Sequence, residues 1–265
     1  MIKPGSLIKK FAMKQSLKFI ITFGKSILLQ ALLLMALEMP ALCSNCKDSV
    51  KNYTTYSTKN KNHKSLSIQQ LLQVFYPLGS AEYSVTVCAD LPVNNNPRCV
   101  YKKGEPGHVF LILSKRNPLT AEVITRSFGF YPRVAVTFLV KKVRSKILDN
   151  SNRQYDASVE KKLTADEFAL ILQKCKELSK KKYNLKKYNC YEYVLEVFNS
   201  LPGIEKLPVT KVKFPFIFGR GGSPCGLYRD LKKLSANDSA WMPFIKFGLF
   251  KSPYSDLHEN TFASY

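Results

Sequence analysis

The sequence predicts an α+β domain in which an antiparallel sheet packs against helices, because strand patterns come first and helix patterns follow. A continuous apolar run at 107–113 (Gly-His-Val-Phe-Leu-Ile-Leu) is typical of a strand buried on both faces. From residue 164 onward, apolar residues recur at helical spacing instead. The 265 residues are 45% hydrophobic and 12% aromatic, which supplies a core and excludes wholesale disorder. We therefore expect one domain over residues 65–239.

The strand patterns lie in the first half of this domain. Asn117 and Pro118 signal a turn after the buried run, so the chain is expected to return beside that run as a neighbouring strand. A polar stretch at 148–154 is expected to be a loop. The predicted strands are 83–88, 107–113, 122–131, 134–143 and 155–161.

The helix patterns are marked by their caps. Thr164 and Glu167 form a capping box, in which each side chain can satisfy a free backbone N–H of the first turn. Apolar residues follow it at helical spacing to residue 178. Another helix is predicted to begin after Asn189, whose side chain can cap it, and a shorter one is predicted at 67–75.

The first 43 residues have the pattern of a signal peptide. Residues 3–25 contain six lysines and no acidic residue, and an apolar run follows at 26–37 that is too short to cross a bilayer alone. Ala41 and Cys43 supply small residues that predict cleavage before Ser44; the alternatives are an uncleaved anchor and a buried core helix. We expect an extracytoplasmic protein, secreted after cleavage or membrane-anchored without it.

Two further segments flank the predicted domain. Residues 44–64 are polar and have no apolar period, which predicts a linker. Residues 240–265 form an aromatic C-terminal tail. Because aromatic side chains bury a large area when they pack, we expect 241–250 to fold back onto the domain and the residues after Tyr254 to be disordered.

The charge of the chain bears on its partners. Lys plus Arg number 41 and Asp plus Glu 19, and the signal segment contains only six of the lysines and one glutamate, so 35 basic and 18 acidic residues follow it. Such a field favours anionic partners: cell-wall peptide or polymer, a lipid surface, or nucleic acid. The export signal and the absence of nucleic-acid recognition motifs make nucleic acid the least favoured of these.

Several site classes are excluded by motif. The chain has no P-loop, no dinucleotide-binding glycine turn and no zinc-protease helix motif, and it has only three histidines. We therefore expect no cofactor and no metal. Cys43 and Cys46 form a lone C-x-x-C without a second pair at zinc spacing, and Cys88 and Cys99 flank a turn-rich loop that a disulfide would close in an exported chain.

One cysteine and one histidine are placed where they favour nucleophilic chemistry. Cys190 falls in the first turn of a helix that Asn189 can cap, where free backbone N–H groups and the helix dipole are expected to lower a thiol pKa. His108 opens the buried strand at 107–113, directly after a loop, and it is the one histidine within the domain. A thiol nucleophile and an imidazole base in one site are the requirements of covalent acyl transfer.

These two motifs, Gly-His-Val-Phe-Leu-Ile-Leu and Tyr-Asn-Cys-Tyr-Glu-Tyr-Val, resemble those of circularly permuted papain-like proteins, namely the permuted NlpC-like hydrolases and the lecithin-retinol-acyltransferase-like enzymes. In that group the histidine strand precedes the helix that carries the nucleophilic cysteine. The resemblance covers roughly residues 83–235. It implies a papain-like fold, Cys190 as nucleophile and His108 as base.

The resemblance also implies a third, polar residue on the strand after the histidine. If 114–121 is the hairpin connection, Ser127 falls opposite His108 and is the candidate that orients its ring. Several such families have a histidine at this place, which this chain does not. Glu122 and Glu192 are the alternatives.

Two functions remain in competition, with basic nucleic-acid binding as a third. The first is a secreted thiol hydrolase or amidase, protease-like or acyltransferase-like, that attacks peptide, amide or acyl bonds through the Cys-His pair. The second is a non-catalytic basic module of the same fold that binds anionic wall polymer or membrane.

Overall fold

The computed structural model describes residues 67–254 except 103–105, 135–140, 215–218 and 238. The predicted signal segment at 1–43 and linker at 44–64 lie outside the described residues. The helices are α1 (Ile68–Gln73), α2 (Ala165–Leu178), α3 (Cys190–Phe198) and α4 (Pro224–Ala236), with a 3-10 turn at Met242–Phe244. The strands are β1 (Glu82–Asp90), β2 (His108–Arg116), β3 (Val123–Pro132), β4 (Ser145–Asp149), β5 (Gln154–Leu163), β6 (Lys211–Lys213), β7 (Arg220–Gly222) and β8 (Ile245–Lys251).

Six of these strands form one antiparallel sheet in the order β4-β3-β2-β1-β5-β8, and β6 pairs with β7 in a separate ribbon. The α+β class is thereby confirmed. The predicted strand at 134–143 falls mostly on undescribed residues, and β4 instead reaches into the stretch 148–154 that was expected to be a loop. No described helix is long and apolar enough to cross a membrane.

The two faces of the sheet differ in what covers them. We call the face of Val109 and Leu111 the helix face, because these residues pack in one large core with residues of all four helices. The opposite face, which we call the inner face, carries His108 and Phe110; Phe110 packs in a small separate cluster with Ile112. The main core therefore lies on the helix face.

A short connection shows that the sheet is strongly curved. Three strands separate β4 from β5, so a flat sheet would place these two about 19 Å apart at roughly 4.8 Å per strand. Only residues 150–153 join them, and they include a turn in which Asn152 has φ 57°. Since an extended chain covers at most about 3.6 Å per residue, the sheet must curl to bring β4 toward β5. The connection crosses the inner face, where Asn150 bonds to Tyr131.

The C-terminal segment completes the sheet. β8 pairs with β5 along its edge, and Trp241 is only 4% exposed, with its Nε1 donating to the carbonyl of Glu205 at 3.1 Å. Residues 241–251 thus fold back onto the domain. The residues after Tyr254 lie outside the described range.

Candidate active site

The start of α3 is held firmly by polar contacts. The side chain of Asn189 accepts from the N–H of Tyr191 at 2.7 Å and donates to the carbonyls of Leu185 (2.8 Å) and Gly222 (3.0 Å). Glu192 completes a capping box by accepting from the N–H of Asn189 at 3.0 Å. Asn189 therefore caps the helix as the sequence predicts, and it places Cys190 at the first helical position.

The Cys190 thiol is buried at this helix start. The N–H groups of Val109 and Tyr191 and the charge of Arg153 favour its thiolate form, but burial outweighs them and raises the pKa of Cys190 to about 11. The sequence-based expectation of a lowered pKa is therefore wrong. Cys190 is only 7% exposed and is a neutral thiol near pH 7.

His108 is the first residue of β2. The residue before it, Gly107, lies in a tight turn where a side chain would not fit. Gly107 has φ +71°, and a Cβ there would lie 2.5 Å from the carbonyl oxygen of Asp90 and 2.7 Å from Pro224. The His108 ring stacks on Tyr131, with 4.2 Å between the ring centroids. Burial, helped by the charge of Arg153, lowers the pKa of His108 well below its usual range. His108 is thus a neutral imidazole near pH 7.

The fold brings Cys190 and His108 to the same end of β2. The sulfur of Cys190 lies against the N–H of Val109, one peptide bond from His108, whereas strand alternation directs the His108 ring to the inner face. Within the described residues, no hydrogen bond joins the two side chains, and the aromatic rings that stack on the His108 ring are those of Tyr131 and Phe110. The pair is adjacent but not in hydrogen-bonded contact.

Asn150 is a site residue that the sequence did not reveal. Its Nδ2 donates to the Tyr131 hydroxyl at 2.7 Å, which fixes the amide plane over the inner face. Asn150 Oδ1 and His108 Nε2 are both buried and have no hydrogen-bond partner in the described part of the chain. Both atoms border the side-chain position of Gly129: a Cβ there would lie 2.9 Å from Oδ1 and in direct conflict with Nε2. Gly129 therefore leaves a space that the imidazole and the amide both border.

An ion pair extends this cluster. Arg153 donates from Nη2 and Nε to one carboxylate oxygen of Asp90, at 2.7 and 2.9 Å, and from Nη1 to the Tyr131 hydroxyl at 3.4 Å. Asp90 pairs with His108 in the register of β1 and β2. The guanidinium thus lies between the Tyr131 hydroxyl and Asp90, with its charge acting on both His108 and Cys190.

The register corrects the prediction for Ser127. Ser127 pairs with Ile112, and continuation of the same register brings Tyr131 beside His108. Ser127 is buried on the same inner face but lies four residues along the strand, about 13 Å away at roughly 3.3 Å per residue. The prediction that Ser127 lies opposite His108 is therefore wrong.

The two alternatives to Ser127 do not approach the His108 ring in this structure. Glu122 is exposed in the hairpin loop, beyond the far end of β2. Glu192 accepts from the N–H groups of Asn189 and Gly222, so it stabilises the start of α3.

Within residues 67–254, apart from the gaps, no group of three or more His, Cys, Asp or Glu side chains is placed to hold a metal ion. No family model, no curated protein and no solved structure matches this chain.

Proposed function

We propose that this protein is a thiol hydrolase of the permuted papain-like type, which attacks amide, peptide or acyl-ester carbonyls with Cys190. The observation that carries the proposal is the position of its sulfur, at the capped start of α3 and against the Val109 N–H, beside the first residue of the strand that carries His108. A buried polar cluster with unpartnered imidazole and amide atoms borders the same strand end. Buried polar groups without partners are uncommon in a purely structural core.

The protonation states suit a general-base step. His108 is neutral near pH 7 and can accept a proton, whereas Cys190 is a thiol that must lose one. In the proposed reaction Nδ1 of His108 takes the thiol proton as the sulfur bonds to the carbonyl carbon. The tetrahedral intermediate then expels the amine or alcohol, which leaves with the proton from His108. Water activated by the same imidazole hydrolyses the resulting thioester.

Asn150 takes the orienting role in this scheme. If Nε2–H of His108 donates to Asn150 Oδ1, the opposite ring atom, Nδ1, is directed away from the amide and is available to the thiol. The Tyr131 hydroxyl holds the other end of the amide, so Oδ1 keeps its direction. Ser127 lies too far along β3 for this role in the observed register.

The developing oxyanion has two sources of stabilisation. The N–H of Cys190 is in the first helical turn, where backbone donors have no partner within the helix. Arg153 adds a nearby positive charge.

Charge beside α3 supports an anionic substrate, such as cell-wall peptide. In the ribbon of β6 and β7, Lys213 pairs directly with Arg220, and both are exposed. Like charges directly opposite one another destabilise a β-ribbon, and an anion bound between them would relieve that repulsion. The ribbon is tied to the helix start through the bond from Asn189 to Gly222. With the signal-like segment at 1–43, these features support an extracytoplasmic enzyme acting on wall peptide or at a lipid surface.

The second candidate is a non-catalytic module that uses this basic ribbon to bind anionic wall polymer or membrane. The specific observation in its favour is the neutral, buried Cys190 thiol without a hydrogen bond to His108.

A substitution with a matched control separates the two candidates. Cys190→Ala removes the nucleophile, and Cys175→Ala removes a fully buried thiol from α2, away from the site. Assayed on peptidoglycan fragments and model acyl esters, Cys190→Ala is expected to lose turnover by about a thousandfold or more. Cys175→Ala is expected to keep it. Mass spectrometry of the wild type should also trap an acyl adduct on Cys190.

Two outcomes decide against the enzyme. Turnover that survives in folded Cys190→Ala would show that the thiol is not the nucleophile. A wild type that binds wall fragments tightly, yet turns over none of the substrates and forms no adduct, would establish the binding module.

A further inference from the structure

Two cysteines outside the candidate active site meet where the loop after β1 packs on α4. Cys225 Sγ donates to the carbonyl oxygen of Cys99 at 3.3 Å, although 126 positions separate the two residues in the chain. Cys99 Sγ in turn lies 3.5 Å from the carbonyl of Tyr101. Both cysteines are buried, at 3% and 0% exposure. One sulfur therefore touches the main chain of the residue that carries the other.

Both sides of this contact are fixed by the fold. Asp156 accepts from the N–H groups of Leu91 and Asn95, at 2.8 and 2.6 Å, and so anchors the first part of the loop that carries Cys99. Cys225 is in the first turn of α4, and its N–H donates to the hydroxyl of the cap, Ser223, at 3.2 Å. These hydrogen bonds hold the loop of Cys99 and the start of α4 in place independently of the contact between Cys99 and Cys225.

Cys88 and Cys175 pack in other parts of the domain. Cys88 packs on the inner face with Phe110 and Ile112. Cys175 is in the main core, where its carbonyl accepts from the hydroxyl of Tyr193. Cys88, the partner that the sequence suggested for Cys99, thus packs within the sheet, whereas the sulfur in contact with the Cys99 main chain is that of Cys225.

We propose that Cys99 and Cys225 form a disulfide when the chain folds in an oxidising environment. The structure has both as free thiols, so the bond requires an oxidant, and glutathione disulfide is the class that supplies it. One cysteine thiolate displaces a glutathione thiolate to form a mixed disulfide, and the second cysteine then displaces the other glutathione. Two protein thiols are oxidised and one glutathione disulfide is reduced to two glutathione thiols. Because both sulfurs are buried after folding, the reaction belongs to the folding chain.

The bond would hold one wall of the candidate site. Pro224, the residue before Cys225, and Pro92, in the loop of Cys99, both lie within 2.8 Å of the Cβ position of Gly107. Gly107 immediately precedes His108. A covalent link between loop and helix thus fixes the two prolines that enclose the turn into the His108 strand.

Disulfide mapping of the full chain tests this inference. The denatured, reduced protein is refolded in a glutathione redox buffer, alkylated, digested without reduction and analysed by mass spectrometry. We expect a Cys99–Cys225 linked peptide in the refolded wild type. Because the bond closes a long loop, the melting temperature should exceed that of protein refolded under reducing conditions by about 10 °C.

The variants give the matched comparison. Cys99→Ser and Cys225→Ser should each abolish the temperature difference between oxidised and reduced protein, and Cys88→Ala should preserve it. A linked peptide of Cys88 and Cys99 would overturn the inference, as would free Cys99 and Cys225 after oxidative refolding. Neither result bears on whether Cys190 is a nucleophile, since hydrolysis is not measured.

Discussion

The two faces of the sheet are buried in different ways. On the helix face, aromatic and aliphatic side chains fill the space, as where Phe130 stacks on Tyr193 with 4.9 Å between the centroids. On the inner face, the buried polar atoms His108 Nε2 and Asn150 Oδ1 have no hydrogen-bond partner among the described residues. Removing an apolar contact costs packing energy, whereas a buried polar atom without a partner already costs the protein stability. The helix face therefore holds most of the packing that stabilises the fold, whereas the inner face holds the unpartnered polar atoms to which the proposed mechanism assigns a role.

The largest expected effect is on the helix face. Phe168 is fully buried between Phe75 and Tyr83, at centroid distances of 5.2 and 4.7 Å. Phe168→Ala should lower the free energy of unfolding by about 3–5 kcal/mol, because it removes these contacts and leaves a cavity. Turnover per folded molecule should stay at the wild-type value. Chemical denaturation and active-site titration measure the two quantities, and loss of turnover in the folded fraction would contradict the division of roles.

A substitution on the inner face should lower turnover, whereas Phe168→Ala should lower stability. Gly129→Ala places a methyl group against His108 Nε2 and must displace the ring. We expect turnover to fall by about 10- to 100-fold, since misplacement of a general base costs that order of rate. Gly79→Ala is the control, because a Cβ there meets nothing within 4 Å. Equal turnover in the two variants would remove His108 from the mechanism.

The smallest expected effect is on the pH dependence of stability. The pKa of His108 is lowered in the folded protein, so the unfolded chain binds this proton more readily. The contribution to stability is therefore complete above the ordinary pKa of about 6.5 and is lost as the pH falls below it. The wild-type melting temperature should drop between pH 7 and pH 5. His108→Gln should show a smaller drop over that interval, and an equal drop in both proteins would show that groups other than His108 cause it.

The sequence predicted local structure better than it predicted contacts. The capping box of Thr164 and Glu167 and the cap at Asn189 depend on neighbours in the chain, and both are present. The β2–β3 register depends on where the hairpin turns. β2 continues to Arg116 and β3 begins at Val123, so the turn is centred two residues later than expected. In a hairpin, moving the centre of the turn by two residues moves the partner of each residue by four. Because four is an even number, Ser127 is on the predicted face of the sheet, but its partner is Ile112 instead of His108.

Burial explains what else the sequence could not supply. Asn150 stands in a polar run that is typical of a loop, and only the curl of the sheet brings it over Gly129. The helix start does favour the Cys190 thiolate, as expected, but the size of the opposing effect depends on how completely the core encloses the sulfur.

Hydrogen bonds join the β4–β5 turn at 150–153 to Ser252, which follows β8. Ser252 accepts from the N–H of Arg153 through its hydroxyl at 2.9 Å, and its own N–H donates to the carbonyl of Arg153 at 2.9 Å. The hydroxyl also donates to the carbonyl of Asn150. The turn that carries Asn150 and Arg153 is therefore held by a residue that lies 99 positions after Arg153 and 102 after Asn150 in the chain. During synthesis the turn lacks these bonds until Ser252 has been made, so Asn150 and Arg153 are held in place only after the four described helices have been synthesised.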